Sequence, residues 1–337
     1  MKAFVLHAFG LDNLKFEVIP DPPSPAKNQV LIRYKAASIN YRDTLVIAGK
    51  YDPRFPLPFV PLSDGAGVIE EVGSDVVQWK KGDLVLTPFA PNWLDGKPER
   101  SEFRNSLGGP LDGTLREFAL FNAESIVSAP KNLSIEESAS LPCAALTAWS
   151  ALVEENPIES GQTVLVQGTG GVSMFALQIA KAKNANVILT TSSPSKAIKA
   201  KELGADWIID SNEFPEWSKE VRKITNKRGV DHIIEVGGSN TLPQSIKSCA
   251  SFGTISLIGV LGGNSTDTNL LPIVMNQINL QGIVVGSVGS LDRMCRFFEK
   301  SNIKPVLNPI QDWKDSLKII KEFPQGKHLG KVVLNIS

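Results

Sequence analysis

The feature that most constrains the fold of this chain is a short strand, a glycine turn and a helix between residues 163 and 180. The strand, Thr163 to Val166, is rich in β-branched residues, and the turn has glycines at positions 168, 170 and 171. The helix that follows carries apolar residues on one face. This is the layout of a G-x-G-x-x-G dinucleotide-binding turn. The alternative is a glycine-rich strand–helix turn that binds nothing.

The turn predicts a pyrophosphate site. Gly168 permits a tight turn, and Gly170 lets the backbone approach the phosphates. Gly171, Val172 and Ser173 open the helix, where backbone N–H groups and the positive end of the helix dipole attract negative charge. Ser173 occupies the place of the third glycine. Its hydroxyl could bond the pyrophosphate or crowd the contact between strand and helix, and the sequence leaves both open.

Short apolar strands alternate with helical patterns after this turn, which predicts a parallel, doubly wound sheet and an α/β fold. The six predicted strands are Thr163–Val166, Val187–Thr191, Trp207–Asp210, His232–Val236, Thr254–Val260 and Leu280–Val285. Ligands of such sheets lie beyond the carboxyl ends of the strands. The small residues expected there are Gly237, Gly259, Gly286 and Ser287, and ordinary glycines between strand and loop are the alternative.

The first 124 residues read as mostly short β-strands separated by Pro and Gly clusters, with a long polar loop over 88–113. Ser134 and Glu137 form a capping-box pattern, and Pro142 should break or kink the helix that follows. The last 50 residues predict one amphipathic helix, Trp313 to Phe323, and a final strand, Lys331 to Ile336. The expected domains are therefore 1–124 with 288–337, and 125–287.

Composition excludes several classes of protein. Lys+Arg and Asp+Glu number 35 each, so the net charge of zero gives no nucleic-acid footprint. No stretch is long and apolar enough for a membrane span, and no signal peptide is recognisable. The three cysteines are far apart, which favours a reducing cytoplasm.

The residues after the second strand of the nucleotide-binding region bear on the choice of cofactor. An NAD enzyme places an acid there, to bind the ribose 2′-hydroxyl. This chain has Ser192, Ser193, Ser195 and Lys196 instead. Hydroxyls and a lysine can receive a 2′-phosphate, so NADPH is favoured and NADH stays possible. The serines could alternatively be N-cap residues of the next helix.

Several motifs together resemble the medium-chain dehydrogenases/reductases, in particular their zinc-free, quinone-oxidoreductase-like branch. The matching segments are Ala37–Asp43, Gly49–Tyr51, Pro61–Gly67, Gly73–Asp83, Leu141–Trp149, the 168–173 turn and the segment from Gly330 through Lys331 to Val333. The resemblance implies a GroES-like β-rich catalytic domain, a Rossmann domain and a cleft between them for the nicotinamide. It also implies a homodimer joined through the last Rossmann strand, and cofactor contacts from Thr147 and Lys331.

The resemblance also bears on metal. Zinc-using relatives carry Cys, His and Cys at places where this chain has Asn40, Ser63 and Cys143, and the 88–113 loop has no cysteine. One sulfur ligand does not make a zinc site. No metal is therefore expected, and Cys143 is interpreted as a small packing residue.

Without a metal, a side chain must stabilise or protonate the oxygen of the substrate. Tyr51 matches the proton-donor position of related enoyl reductases, while Tyr41 and Arg42 lie beside the lost ligand position and Asn40 could add a hydrogen bond. A loop cap for Tyr51 and an ion pair of Arg42 with Asp43 or Asp64 are the alternatives. The expected function is reduction of a quinone, enone, aldehyde or ketone by NAD(P)H. A nucleotide sensor or structural protein without turnover is the second hypothesis.

Overall fold

The structure is a computed structural model that describes residues 1–263, 265 and 267–336. These residues form two compact units. The first comprises Met1–Leu146 and the chain from Val285 onward, and the second comprises Thr147–Val284. Residues 125–146, which the sequence assigned to the nucleotide-binding domain, therefore lie in the first unit.

Regular elements run through both units. The strands are β1 (Lys2–Leu6), β2 (Leu14–Val18), β3 (Gln29–Ile39), β4 (Asp64–Val72), β5 (Leu84–Thr87), β6 (Phe118–Asn122), β7 (Val127–Ser128), β8 (Thr163–Gln167), β9 (Asn186–Thr191), β10 (Trp207–Asp210), β11 (Val230–Glu235), β12 (Cys249–Leu257), β13 (Asn279–Gly282), β14 (Gln311–Asp312) and β15 (Val332–Asn335). The α-helices are α1 (Tyr41–Ile47), α2 (Arg100–Arg104), α3 (Ile135–Ala139), α4 (Leu146–Trp149), α5 (Gly171–Ala182), α6 (Pro194–Glu202), α7 (Trp217–Ile224), α8 (Leu242–Ser248), α9 (Leu271–Met275), α10 (Val288–Ser301) and α11 (Ser316–Glu322).

The first unit is β-rich, and β3 is the strand around which its main sheet is arranged. Within the described residues the order is β14-β15-β3-β4-β5-β7, and β6 also pairs with β3. Ile39 at the end of β3 pairs with Val332 of β15, and Ser38 pairs with Asp64 at the start of β4. This antiparallel register brings residues 40, 64 and 331 together at the neighbouring ends of β3, β4 and β15, although they are far apart in sequence.

The second unit contains the predicted parallel sheet. Its six strands in the described chain have the order β10-β9-β8-β11-β12-β13 and pair in parallel. In order along the chain this is 3-2-1-4-5-6, the order of a dinucleotide-binding sheet. Strand β8 therefore lies at the topological switch point, next to both β9 and β11. The α/β fold expected from the alternating pattern is confirmed.

The predicted capping box opens α3. The Glu137 N–H donates to Ser134 Oγ at 3.2 Å, and the Ser134 N–H donates to the Glu137 carboxylate at 2.8 Å. Pro142 ends regular α-helical bonding, because π-helical turns cover Leu141–Ala145 and, after α4, Ser150–Glu155. The expected interruption at the proline is thus present, and the helix continues beyond it.

Helix α10 contradicts the prediction of only one helix in the last 50 residues. Ser287 caps it by accepting a hydrogen bond from the Ser290 N–H at 3.0 Å. Leu291, Met294, Cys295 and Phe298 are buried on one face with helical spacing, so the pattern was present in the sequence and was missed. Helices α1, α2 and α9 were also missed, because short helices give few turns of periodicity.

The end of the last parallel strand is also corrected. Strand β13 ends at Gly282, whereas the sequence extended it to Val285. Gly286 and Ser287 therefore do not follow that strand directly, and they belong to the first compact unit. No α-helix in the described part of the chain is long and apolar enough to cross a bilayer.

Candidate functional site

The glycine turn between β8 and α5 leaves space that the protein does not fill. Gly168 has a φ of +70°, a left-handed conformation that glycine adopts without strain. A Cβ atom added to Gly168 or Gly170 would meet no protein atom within 4 Å. Gly170 is the N-cap of α5, and the first N–H groups of the helix, from Gly171 onward, have no partner within the helix. The turn therefore has the open backbone donors that a pyrophosphate requires.

Ser173 has a partner within the protein. Its hydroxyl donates to the backbone oxygen of Gln167 at 2.6 Å, and the residue is buried. The hydroxyl thus ties the first turn of α5 to the last residue of β8, which is a role that a third glycine could not have. Between the two possibilities that the sequence left open, this geometry assigns the hydroxyl proton to the protein backbone.

A buried carboxylate at the end of β11 holds the neighbouring loops in place. Glu235 accepts hydrogen bonds from the N–H groups of Gly237 and Gly238 at 2.8 and 3.0 Å, and from the Gln167 amide at 2.8 Å. An added Cβ would lie 2.2 Å from Thr241 Oγ1 at Gly237. At Gly259 it would lie 2.4 Å from a backbone oxygen. Unlike Gly168 and Gly170, these two glycines are required by packing within the protein.

The loop after β9 presents hydroxyls, as expected. Ser193 is the N-cap residue of α6, but its side chain makes no capping bond, and its Oγ lies 3.2 Å from Ser195 Oγ. Partial burial lowers the pKa of the Lys196 ammonium. Ser192 is exposed. One acid does lie nearby, because Asp210 of β10 pairs with Thr191 in the sheet.

The most unusual feature of the first unit is a buried ammonium group. The Lys331 Nζ donates to Asn40 Oδ1 at 2.6 Å, to Asp64 Oδ2 at 2.9 Å and to the backbone oxygen of Ile39 at 3.1 Å. The Lys331 side chain is 2% exposed and that of Asp64 is 0% exposed. Lys331, which the resemblance assigned to the cofactor, has these protein oxygens as partners. Asp64 was not predicted as a site residue, although it lies directly after Ser63 in the matching motif.

Three buried polar atoms, on Asn40, Asp64 and the residue before Asp64, have no hydrogen-bond partner among the described residues. They are Asn40 Nδ2, Ser63 Oγ and Asp64 Oδ1. The residue before Ser63, Leu62, is fully buried and has a φ of +70°, which is strained for a leucine. Removal from water, and then the Asp64 carboxylate, raise the pKa of the Cys143 thiol. We call Asn40, Ser63, Asp64, Cys143 and Lys331 the polar cluster.

Arg42 is hydrogen-bonded to the backbone of the loop beyond residue 105. Its guanidinium donates to the backbone oxygens of Leu107 and Gly109 at 3.0 and 3.2 Å, and it lies 5.0 Å from the ring centre of Tyr51. The Tyr51 side chain is about half exposed, and that of Tyr41, at the start of α1, is also exposed. Arg42 and Asp43 form the ion pair that the sequence offered as an alternative, at 3.4 Å. Catalytic roles for Tyr41, Arg42 and Tyr51 stay predictions.

The long loop of residues 88–113 is fastened to α10. The Asp95 carboxylate binds both terminal nitrogens of Arg293 at 3.1 Å. The Val288 and Gly289 N–H groups, at the start of α10, donate to the backbone oxygens of Trp93 and Leu94. The sequence gave no partner for this loop, because its anchor lies almost 200 residues later.

Comparison with known proteins agrees with this architecture. The family model described as "Alcohol dehydrogenase GroES-like domain" matches residues 26–131, and "Zinc-binding dehydrogenase" matches residues 171–300. A zinc-type alcohol dehydrogenase-like protein of Schizosaccharomyces pombe is 45% identical over 335 residues, covering 97% of this chain and 96% of the relative. The crystal structure of a putative alcohol dehydrogenase from Sinorhizobium meliloti 1021 has a TM-score of 0.93 and 36% identity, and covers 99% of this chain and 98% of its own.

The chain belongs to the medium-chain dehydrogenase/reductase superfamily. It is an oxidoreductase, and the superfamily identified from the sequence is confirmed. An acryloyl-coenzyme A reductase of Sulfurisphaera tokodaii is also similar, at 29% identity over 331 residues, covering 95% of this chain and 96% of the relative. The superfamily therefore includes relatives named for different reactions.

The burial of Asp43 predicts an unusual dependence of stability on pH. Burial raises the pKa of this carboxyl to about 6, above its unfolded value of about 3.9. Between these values the folded protein holds a proton that the unfolded chain has released, so the contribution of Asp43 to stability declines as pH rises through about 6. In Asp43→Asn, which keeps an oxygen for the Asn40 N–H, this decline should be absent.

The free energy of unfolding, measured in urea, should therefore increase for Asp43→Asn relative to wild type as pH rises from about 4 to about 7. If the two proteins kept a constant difference over this range, the carboxyl would not have the raised pKa.

Proposed function

We propose that this protein is a zinc-independent, NADPH-dependent reductase of a carbonyl compound, a quinone or an enone. The observation that carries the proposal is the polar cluster, in which an ammonium group occupies the surroundings that zinc-using relatives give to the catalytic metal. The open glycine turn of the second unit supports the cofactor.

The side chains of the polar cluster do not fit zinc. Zinc prefers thiolate, imidazole and carboxylate ligands in a tetrahedron. Here Asn40 supplies an amide whose oxygen is bonded to Lys331, Ser63 supplies a neutral hydroxyl, and the Asp64 carboxylate faces the same ammonium at 2.9 Å. The described residues contain no group of three His, Cys, Asp or Glu side chains suited to a metal. A divalent cation would also have to displace the Lys331 ammonium from Asn40 and Asp64.

The glycine turn fits a dinucleotide, because Gly168 and Gly170 leave space beside the start of α5. A dinucleotide held there would supply a hydride from its reduced nicotinamide. Reduction of an aldehyde or ketone would add this hydride to the carbonyl carbon and a proton from solvent to the oxygen, leaving the nicotinamide oxidised. The protein must bind the acceptor and stabilise the charge that develops on its oxygen.

The preference for NADPH over NADH rests on the loop after β9. Ser192, Ser193 and Lys196 offer hydroxyls and a cation to a 2′-phosphate, and this loop has no acid of its own. Asp210 lies opposite Thr191 at the end of the neighbouring strand, so its negative charge would repel a 2′-phosphate bound at this loop. Asp210→Asn should therefore strengthen the preference for NADPH.

A direct assay tests the proposed function. The purified protein should oxidise NADPH faster than NADH in the presence of at least one acceptor from a panel of quinones, enones and aldehydes. Elemental analysis should find no stoichiometric zinc. NADPH binding without turnover of any acceptor would favour a nucleotide sensor, and stoichiometric zinc would refute the metal-free mechanism.

The open space at Gly170 makes a second prediction. Gly170→Val should weaken NADPH binding by at least about tenfold, or about 1.4 kcal/mol, because its side chain enters the space proposed for the pyrophosphate. The melting temperature should stay close to wild type, since no protein atom lies within 4 Å of the added Cβ. Gly170→Ala should have a smaller effect on binding. Unchanged NADPH affinity in both variants would contradict a cofactor site at this turn.

We also propose that two copies associate through the exposed edge of β13. Large apolar side chains are exposed on α9 and β13, including Val274 at 69%, Met275 at 72% and Leu280 at 41%. An exposed edge strand beside apolar residues is a surface that proteins normally cover. A second copy of this chain can add its own β13 to the sheet, which buries the same residues on both copies.

Light scattering after gel filtration should give the mass of a dimer for the wild type. Val274→Asp with Leu280→Asp should give a monomer, because each copy would then place charges at the apolar edge. Val77→Asp is the control, since Val77 is 92% exposed and lies in the first unit, outside this surface. A monomeric wild type, or a dimer that survives the double substitution, would rule out this interface.

A further inference from the structure

The Lys331 ammonium determines which atom of the Asn40 amide is left without a hydrogen-bond partner. An ammonium group has only donors, so Lys331 Nζ can bond Asn40 only through the amide oxygen, at 2.6 Å. This bond fixes which way the amide faces: Oδ1 points towards Lys331 and Nδ2 points away from it. Asn40 is 8% exposed, and its Nδ2 has no acceptor among the residues that the structure describes.

A second polar group without a partner among the described residues is the hydroxyl of Ser63, the residue before Asp64. Ser63 is 0% exposed and its Oγ has no partner in the described chain. The strained backbone of Leu62, with its φ of +70°, sets the direction of the chain at Ser63. Buried donors without acceptors cost about 1–3 kcal/mol each, so proteins keep them where a ligand or water completes the bonds.

We infer that Lys331 is a positioning residue, which turns the Asn40 amide so that Nδ2 donates a hydrogen bond to the oxygen of the bound acceptor, beside the Ser63 hydroxyl. Neutral donors then stabilise the charge that develops on the acceptor oxygen, as zinc does in zinc-using members of the superfamily. The Asp64 carboxylate balances the charge of Lys331 at 2.9 Å, which leaves the cluster without excess positive charge. This inference rests on the proposed function, because it identifies how that function binds its substrate.

Kinetic variants test the role of the amide. Asn40→Asp keeps the shape and the oxygen that faces Lys331, but it replaces the unused donor with an acceptor. It should lower kcat by about 10²–10³-fold, the usual effect of removing one donor to a developing oxyanion, with a smaller change in KM. Binding of NADPH, measured by fluorescence titration, should be unchanged.

Lys331 should act through Asn40. Lys331→Met leaves Asp64 buried and uncompensated, which can prevent folding, so the test variant is Lys331→Met with Asp64→Asn. This variant should also lower kcat, and addition of Asn40→Asp to it should cause little further loss, because both changes remove the same donor. Ser38→Ala is the control: it removes a 2.8 Å hydrogen bond to Asp64 without touching Asn40, and kcat should stay near wild type. Independent, multiplicative effects of the Asn40 and Lys331 changes would overturn the positioning role.

A binding measurement tests the inference without requiring catalytic turnover. The probe is N,N-dimethylacetamide, whose carbonyl accepts hydrogen bonds, which has no N–H donor and which is not a hydride acceptor. In ¹⁵N-labelled, NADP⁺-saturated protein, the Asn40 side-chain amide protons should shift downfield on titration, and the shift should be lost in Lys331→Met/Asp64→Asn. If no acceptor is reduced but this shift occurs, the proposed function fails, while the Lys331-dependent hydrogen bond from Asn40 to a carbonyl oxygen is supported. If acceptors are reduced and Asn40→Asp retains kcat or the shift is absent, the inference fails alone.

Discussion

The buried contact of the Lys331 ammonium with Asp64 and Asn40 is the interaction on which the catalytic unit depends. It joins three places in the chain, the end of β3, the start of β4 and the residue before β15, with distances of 2.6 to 2.9 Å. An ammonium group this far from water is stable only when its donors are bonded and its charge is balanced. The contact therefore fixes the relative positions of the strand ends at which the chemistry is proposed to occur.

Under the proposed zinc-independent function, the same contact connects segments that a metal would otherwise link. In a zinc enzyme the metal links ligands that come from separate segments, and its removal would leave the segments unconnected. Here the ammonium group connects Asn40 and Asp64, while Arg42 and the Asp95–Arg293 pair hold the long loop that precedes α3. Hydrogen bonds and ion pairs thus connect these segments of the first unit.

In the second unit, too, buried hydrogen bonds hold separate segments of the chain together. Glu235, which is fully buried, organises the loop ends beside β8 and β11 through hydrogen bonds to backbone N–H groups. Ser173 ties α5 to β8 through Gln167. Because these internal bonds fix the walls of the turn, the space beside Gly168 and Gly170 is preorganised for a ligand. Rigid walls around an open backbone turn are what binding of a charged pyrophosphate requires.

The sequence alone determined the α/β fold, the dinucleotide turn, the capping box at Ser134 and the superfamily, because these depend on local periodicity and on residues close together in the chain. It missed α10, whose pattern was present, and it could not show that Lys331 meets Asn40 and Asp64, which lie 291 and 267 residues away along the chain. Nor could it decide the role of Ser173, since a hydroxyl can serve a phosphate or a carbonyl equally well. Those choices belong to the tertiary structure: the pairing of β3 with β4 and β15 brings Lys331 to Asn40 and Asp64, and the folded glycine turn places Ser173 Oγ 2.6 Å from the backbone oxygen of Gln167.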